Sequence, residues 1–314
     1  MPNIIEYTKL YEKKLDEHIL QAMVTGWMDS NAGQVQYNGG NEVKVPIMTI
    51  DGLANYDRSQ SGGYVGGDVN LRYQTLTMTQ DRGRSFTIDV RDVDETGGVL
   101  MIGKMMKEFQ GTQVAPEIDA YRLSKLAQVA MKHKDNNESG YTPKSDDVIR
   151  KVKEGIKKIR KTGYSGQLVI HMNYDTLNEF EMVKPTVANT VTFTVNGVET
   201  RVNQIDGCPI IPTTDNKMIT EITLNDGKTA GQEAGGFAPT DSAVPINFLI
   251  VAQTTPLAIT KIDTMRIFDP NTNQKANAWL GDYRRHHDLW VLENKEKTIY
   301  VNTGVKATEP AKAK

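Results

Sequence analysis

The residues best equipped for chemistry are His286, His287 and Asp288, which stand side by side. This trio has the types needed for metal ligation or proton transfer, yet neighbouring residues on a strand point to opposite faces. Two adjacent histidines therefore cannot share one ion without a break in the strand, and no other His or Cys stands at ligand spacing. A structural role is the expectation. Asp92, Asp94 and Glu95 form an acidic cluster, but they open a helical pattern, where negative charge is favoured by the helix dipole. The lone Cys208, beside Pro209, has no basic neighbour to activate it. GGYVGGD (62–68) lacks the Gly-Lys-Ser/Thr ending of a phosphate loop, and no helix pattern follows. No nucleophile elbow, His-Glu-x-x-His or dinucleotide fingerprint is present. The chain reads as a non-enzyme with no metal and no cofactor.

The elements around these residues are those of a mixed α+β protein of 314 residues. With 38% hydrophobic and 24% charged residues the composition is that of a globular protein. No apolar run reaches the ~18–20 residues of a membrane span, and the charged N-terminus is no secretory signal. One cysteine excludes an internal disulfide framework. Lys+Arg 37 against Asp+Glu 39 leaves a net charge of −2, without the basic excess of a protein that grips phosphates. If this chain encloses nucleic acid, it does so as a wall.

Residues 3–25 place Tyr7, Tyr11, Leu15, Ile19 and Met23 at four-residue steps, an amphipathic helix either on its own core or on a neighbouring subunit. VKVPIMTI (43–50) is a strand whose Pro46 marks an edge or bulge. The glycine-rich stretch 51–68 reads as a flexible loop tip. VNLRYQTLTMTQDRGRSFTIDVRDVDET (69–96) reads as two strands joined by a turn at Gln80-Asp81-Arg82-Gly83. The first strand changes its apolar face, from Val69, Leu71 and Tyr73 to Leu76 and Met78. That requires a bulge or two different neighbours along its length. A bare two-stranded ribbon is marginal in water, so it should lie against something, such as another copy of the chain.

Residues 95–133 are helical, with a break at Gly111 and a restart at Ala115-Pro116-Glu117. A second helix over 145–163 carries the stripe Ile149, Val152, Ile156 and Ile159, with Ser145 or Asp146 as its cap. Its basic run from Lys151 to Lys161 is read as a solvated face. Strands at 166–173 and 246–253, a helix at YDTLNEFEMVK and a hairpin about Asn196-Gly197 describe an α/β subdomain over 140–253. Strands then resume to about residue 303, and the last ten residues lack a core pattern.

Together YVGGD (64–68), LTMTQDRGRSFTIDVRDVDET (76–96), APEIDAYRLSKLA (115–127) and YRRHHDLWVLENKEKTIYV (283–301) resemble the major capsid proteins of tailed bacteriophages, particularly those infecting Gram-positive hosts. The resemblance implies the Hong Kong-type capsid fold. Its parts fall as an N-terminal arm at 1–43, an extended loop at 44–92, and the spine helix of the peripheral domain at 93–135. An axial domain follows at 136–250, then peripheral return strands at 251–303 and a tail at 304–314. It further implies a shell of hexamers and pentamers, built in the host cytoplasm, enclosing double-stranded DNA in the virion without sequence-specific contacts. Scaffolding, portal and decoration proteins are the implied partners, the scaffold as a separate chain because Met1 directly precedes the arm.

The intersubunit residues expected are Leu53, Tyr56, Tyr64, Val65, Leu71, Tyr73, Leu76, Met78 and Arg82 in the extended loop. Tyr7, Tyr11 and Leu15 are those expected in the arm. Relatives of this fold include one that links a loop lysine to a neighbour's asparagine. No lysine stands between Lys44 and Lys104 here, so a noncovalent shell is expected. An encapsulin-type nanocompartment is the alternative, and a surface β-rich binding protein a more distant one.

Overall fold

The computed structural model describes residues 23–34, 36–37, 42–56, 58–59, 62–94, 99–183, 190–195 and 198–305. After 3-10 turns at Gly26–Gln34, β1 (Gln36–Tyr37), β2 (Glu42–Ile50) and β3 (Val69–Thr77) form a three-stranded sheet in that order. β2 and β3 run antiparallel from Glu42 opposite Thr77 to Ile50 opposite Val69. β1 reaches only Val43 and Lys44, so among the described residues Pro46 sits where β2 has no partner on its other side, as a missing N–H demands.

The ribbon is therefore β2 with β3, and not the hairpin expected across residues 80–83. β4 (Gln80–Asp89) turns away and pairs with the distant strand Ala278–Val291. Gln80-Asp81-Arg82-Gly83 has the composition of a turn, but its glycine serves close packing. A Cβ on Gly83 would lie 2.8 Å from the Tyr283 carbonyl oxygen across the sheet. The change of face in β3 follows from a neighbour along only part of its length. Leu76 and Met78 pack with Val43, Val45, Leu257 and Ile259, whereas the outer half of β3 leaves that core.

The helical stretch comprises α1 (Val90–Asp94), α2 (Val99–Phe109) and α3 (Ala115–Met131). Gly111 does not break it. A π turn at Gln110–Val114 carries α2 into α3, with both flanking residues right-handed helical. The wider turn absorbs the extra residue and leaves Pro116 in the first turn of α3, where its missing N–H costs nothing.

β5 (Asn137–Glu138), α4 (Val148–Arg160), β6 (Leu168–Asn173) and α5 (Tyr174–Met182) follow, then β7 (Thr190–Val195), β8 (Val198–Ile205) and β9 (Cys208–Thr213). Next come β10 (Ile222–Leu224), β11 (Phe237–Pro239), β12 (Ile246–Ala252), β13 (Pro256–Phe268), β14 (Ala278–Val291) and β15 (Ile299–Thr303). A seven-stranded sheet has the order β5-β15-β12-β6-β9-β8-β7, and β13-β14-β4 form another of three. Every residue of β6 and β12 is buried, as unbroken apolar runs predict. β15, expected among the peripheral return strands at 251–303, pairs with β12 and buries Ile299, Tyr300 and Val301 in the larger sheet.

α4 lays Val148, Val152, Ile156 and Ile159 on that sheet. Gly155 lets it approach: a Cβ there would meet the Tyr300 ring at 2.6 Å. Neither Ser145 nor Asp146 caps the helix. Asp147 holds the cap position, and its carboxylate accepts from the Tyr141 hydroxyl instead of a backbone N–H. The basic run of α4 keeps Lys153, Lys157 and Lys161 exposed, and some of its members also find partners within the chain. Lys151 pairs with Glu138, Lys153 with Asp206, and Lys158 lies over the Tyr300 ring.

A strap formed by the first described residues ties the two sheets through α3. Asp119, fully buried, accepts from the Thr25 amide and hydroxyl at 3.0 and 2.6 Å and from Lys217 at 2.9 Å. Arg122 grips Asp29 at 2.6 Å. Two residues before Asp29, the Trp27 indole donates to Nε2 of His171 at 3.2 Å, inside the seven-stranded sheet.

Candidate interaction surface

Antiparallel register decides what the β2–β3 ribbon presents. Ile50 faces Val69, Met48 faces Leu71 and Pro46 faces Tyr73, and all of these share one side of the pleat. Every one of them is exposed, Ile50 at 67%. Beyond them the tip adds Leu53, Tyr56, Tyr64 and Val65, with Tyr64 at 89%. An isolated exposed leucine needs no explanation, but exposed apolar residues gathered on both strands and the tip make a candidate docking surface.

The described part of the tip is organised. Its neck is closed by the Asp51 amide on the Asp68 carbonyl (3.2 Å) and the Asp68 amide on the Asp51 carboxylate (2.9 Å). Tyr56 and Tyr64 meet edge to face at 4.9 Å. Gly63, left-handed at φ +58°, lies beneath the Tyr56 ring, where a Cβ would come within 2.2 Å of Cζ. The aromatic pair thus has a shape before any partner arrives.

Not all of the expected contact residues lie on this stripe. Leu53, Tyr56, Tyr64, Val65, Leu71 and Tyr73 do. Leu76 and Met78, at 8% and 4% exposure, point into the chain's own core, because β3 has crossed onto the body of the molecule by residue 76. Arg82 is spent internally as well. Its guanidinium grips both oxygens of Glu117 at 2.6 and 2.9 Å and donates to the Asn225 carbonyl at 2.8 Å. Tyr7, Tyr11 and Leu15 lie outside the described residues. Met48, Ile50 and Val69 belong to the stripe and were missed. Once β2 is recognised as the partner of β3, period-two alternation in VKVPIMTI assigns Met48 and Ile50 to the free face.

Where β3 passes into β4, the ribbon is anchored by Asp288. This fully buried carboxylate accepts from the Thr79 amide (2.9 Å) and hydroxyl (2.8 Å), from Tyr121 (2.7 Å) and from the Lys125 ammonium (2.5 Å). Burial alone would raise its pKa, but the Lys125 and Tyr121 hydrogen bonds outweigh it and hold the carboxyl below the ordinary range. The Arg72–Glu293 pair at 2.6 Å is exposed and adds little.

The trio at 286–288 is thus structural. His286 and His287 are both buried on opposite sides of β14, and Asp288 is saturated by donors. Among the described residues no group of three or more His, Cys, Asp or Glu could hold a metal ion. Burial pushes the Cys208 thiol up, away from a reactive thiolate. No helix among them is long and apolar enough to cross a membrane.

No family profile matches the chain, and neither does any curated protein. Solved structures do. A chain from the capsid of the cyanophage P-SCSP1u superposes with TM-score 0.60 at 10% identity, over 87% of this chain and 86% of the other. The mature capsid of bacteriophage PhiM1 gives 0.56 at 12% identity, over 87% and 84%. A virus-like particle from Pyrococcus furiosus gives 0.51 at 9% identity, over 95% and 99%. The chain has the α+β fold of phage capsid shells.

Proposed function

We propose that the chain is the major capsid protein of a tailed bacteriophage, copies of which close into an icosahedral shell around double-stranded DNA. The observation that carries this is the apolar stripe on the β2–β3 ribbon, which has a built tip, an anchored root and no packing partner within the described chain. A second copy supplies that partner. In this reading residues 44–77 form the extended loop, the helix from 99 to 131 is the spine, and the seven-stranded sheet is the core of the axial domain. Hexamers and pentamers meet through that axial domain. The protein does no chemistry, and its partners are a scaffolding protein, a portal and a decoration protein. A net charge of −2 suits a wall that encloses DNA without binding its sequence.

The test is negative-stain microscopy of the expressed chain, alone and with a candidate scaffolding protein. Closed particles or capsomers support the reading, and a chain that stays monomeric at high concentration with scaffold present defeats it. The likeness to the Pyrococcus particle, over nearly all of both chains, favours a nanocompartment as the second reading. Nuclease-protected DNA inside native particles selects the capsid. Packaged enzyme selects the compartment.

A further inference from the structure

The face of the seven-stranded sheet beneath α4 carries Tyr300 and, two residues on, the fully buried Asn302. Parallel pairing of β15 with β5 sets Glu138 beside Asn302. From above, α4 brings in Lys151, whose ammonium donates to Oε1 of Glu138. Oε2 of the same carboxylate accepts from Nδ2 of Asn302 at 3.0 Å and from the Tyr300 hydroxyl at 3.2 Å. An amine and an amide thus meet on the two oxygens of one acid.

A carboxylate only accepts, so Glu138 fixes the Asn302 amide with its nitrogen inward. The amide oxygen is then turned to Asn247, whose Nδ2 donates to it at 2.8 Å. Asn247, 4% exposed, is itself held by a second bond from Nδ2 to the Tyr141 carbonyl, also 2.8 Å. Lys151 lies over the Tyr141 ring, 5.5 Å from its centre. Salt pairing accounts for Lys151 and Glu138. It does not account for an acid that also holds the nitrogen of a buried amide while a fixed donor polarises the carbonyl. Those are the parts that acyl transfer to an amine requires: a nucleophile, a proton carrier, a leaving nitrogen and an oxyanion donor.

We propose that Lys151 and Asn302 join in an intrachain amide bond, with Glu138 as the proton carrier. Glu138 takes a proton from the ammonium, and the neutral Nζ attacks Cγ of Asn302. Asn247 holds the charge that develops on the oxygen. Glu138 passes its proton to Nδ2, the Cγ–Nδ2 bond breaks and the Nζ–Cγ bond stays. Nζ gives up two protons, and both leave with the departing nitrogen as ammonium. Nothing is oxidised or reduced, and Glu138 ends as it began. The Lys151 and Glu138 side chains, 17% and 29% exposed, give the ammonium a way to solvent. The bond pins α4 to β15 within one subunit, so it forms in the free chain whatever that chain assembles into. The protein does no chemistry on another molecule here; it acts once on itself.

The test is intact-mass spectrometry of the purified full chain, held folded at neutral pH until its mass is constant and then denatured. The chain is lighter than its sequence by one ammonia, and a tryptic digest joins the peptide bearing Lys151 to the one bearing Asn302. Glu138→Gln and Lys151→Arg, each with native circular dichroism, keep the full mass. The full sequence mass in the unaltered chain overturns the proposal, and that reading stands even where a variant does not fold. Ammonia loss without the joined peptide, as a succinimide at Asn196-Gly197 would give, overturns it as well. The joined peptide persisting in Glu138→Gln overturns the role of Glu138.

Discussion

Asp288 accepts the hydroxyl of Thr79 at 2.8 Å across a sequence separation of 209 residues. The same carboxylate takes Tyr121 and Lys125 from α3, so one buried acid ties the root of the ribbon to β14 and to the long helix. The projecting stripe thus stands on a fixed base. A docking element so held loses less entropy on meeting its partner than a loose loop would.

That hub makes the first prediction. Asp288→Asn leaves Lys125 facing a neutral group. Breaking a buried pair costs about 3–5 kcal/mol, and the partial exposure of Lys125 reduces this to about 2 kcal/mol. The double variant Asp288→Asn/Lys125→Met should recover part of that loss. Urea denaturation of the unassembled subunit measures both, and strict additivity of the two changes would show that the pair is not coupled.

Two histidines set the response to acid. Burial holds His171 down to about 3, and burial with neighbouring cations lowers His287. The unfolded chain takes up protons near pH 6.5 that the folded chain refuses, so stability is full above that pH and falls as pH drops below it. His171 alone should remove about 2 kcal/mol between pH 7 and pH 5, and His287 acts in the same direction. The Trp27 indole donates to Nε2 of His171, so its proton sits on Nδ1, facing Thr213. Equal denaturation midpoints at pH 7 and pH 5 would contradict this.

The two faces of the ribbon should answer differently to charge. Leu71→Asp, on the free face, should leave subunit stability within about 0.5 kcal/mol and stop assembly. Leu76→Asp, on the buried face, should cost more than about 3 kcal/mol and unfold the subunit itself. Calorimetry with sedimentation separates these outcomes.

Much of the fold was legible where local pattern and tertiary role agree. The buried runs of β6 and β12 and the stripe of α4 follow directly from their spacing. Residues 80–83 were misread because a glycine serves a turn and a close strand approach equally well, and only the Tyr283 carbonyl distinguishes the two. The ribbon's face was half legible: Leu71 and Tyr73 stood out, but Met48 and Ile50 needed the correct partner strand. A cleft beside β4, α3 and β14 was invisible. It gathers Arg84, Phe109, Asn225 and Arg285 from segments far apart in the chain, and no local spacing encodes that.

Beyond Lys44, at the root of β2, the ribbon and its tip have no lysine to offer a covalent lock. Mature particles boiled in denaturant should run as a single band near 35.0 kDa. A ladder of linked rings would show that another part of the chain supplies the bond.

The most direct measurement replaces residues 53–67 with a short Gly-Ser link, keeping the neck between Asp51 and Asp68. Halving a flexible loop changes closure entropy by only about 0.6 kcal/mol, while a contact repeated at every lattice position is lost throughout the shell. Paired calorimetry on the unassembled subunit and particle counts by microscopy read the two effects apart. The account predicts an almost unchanged thermal transition and few or no closed shells. Normal shells, or a subunit that unfolds when the tip is shortened, would contradict it.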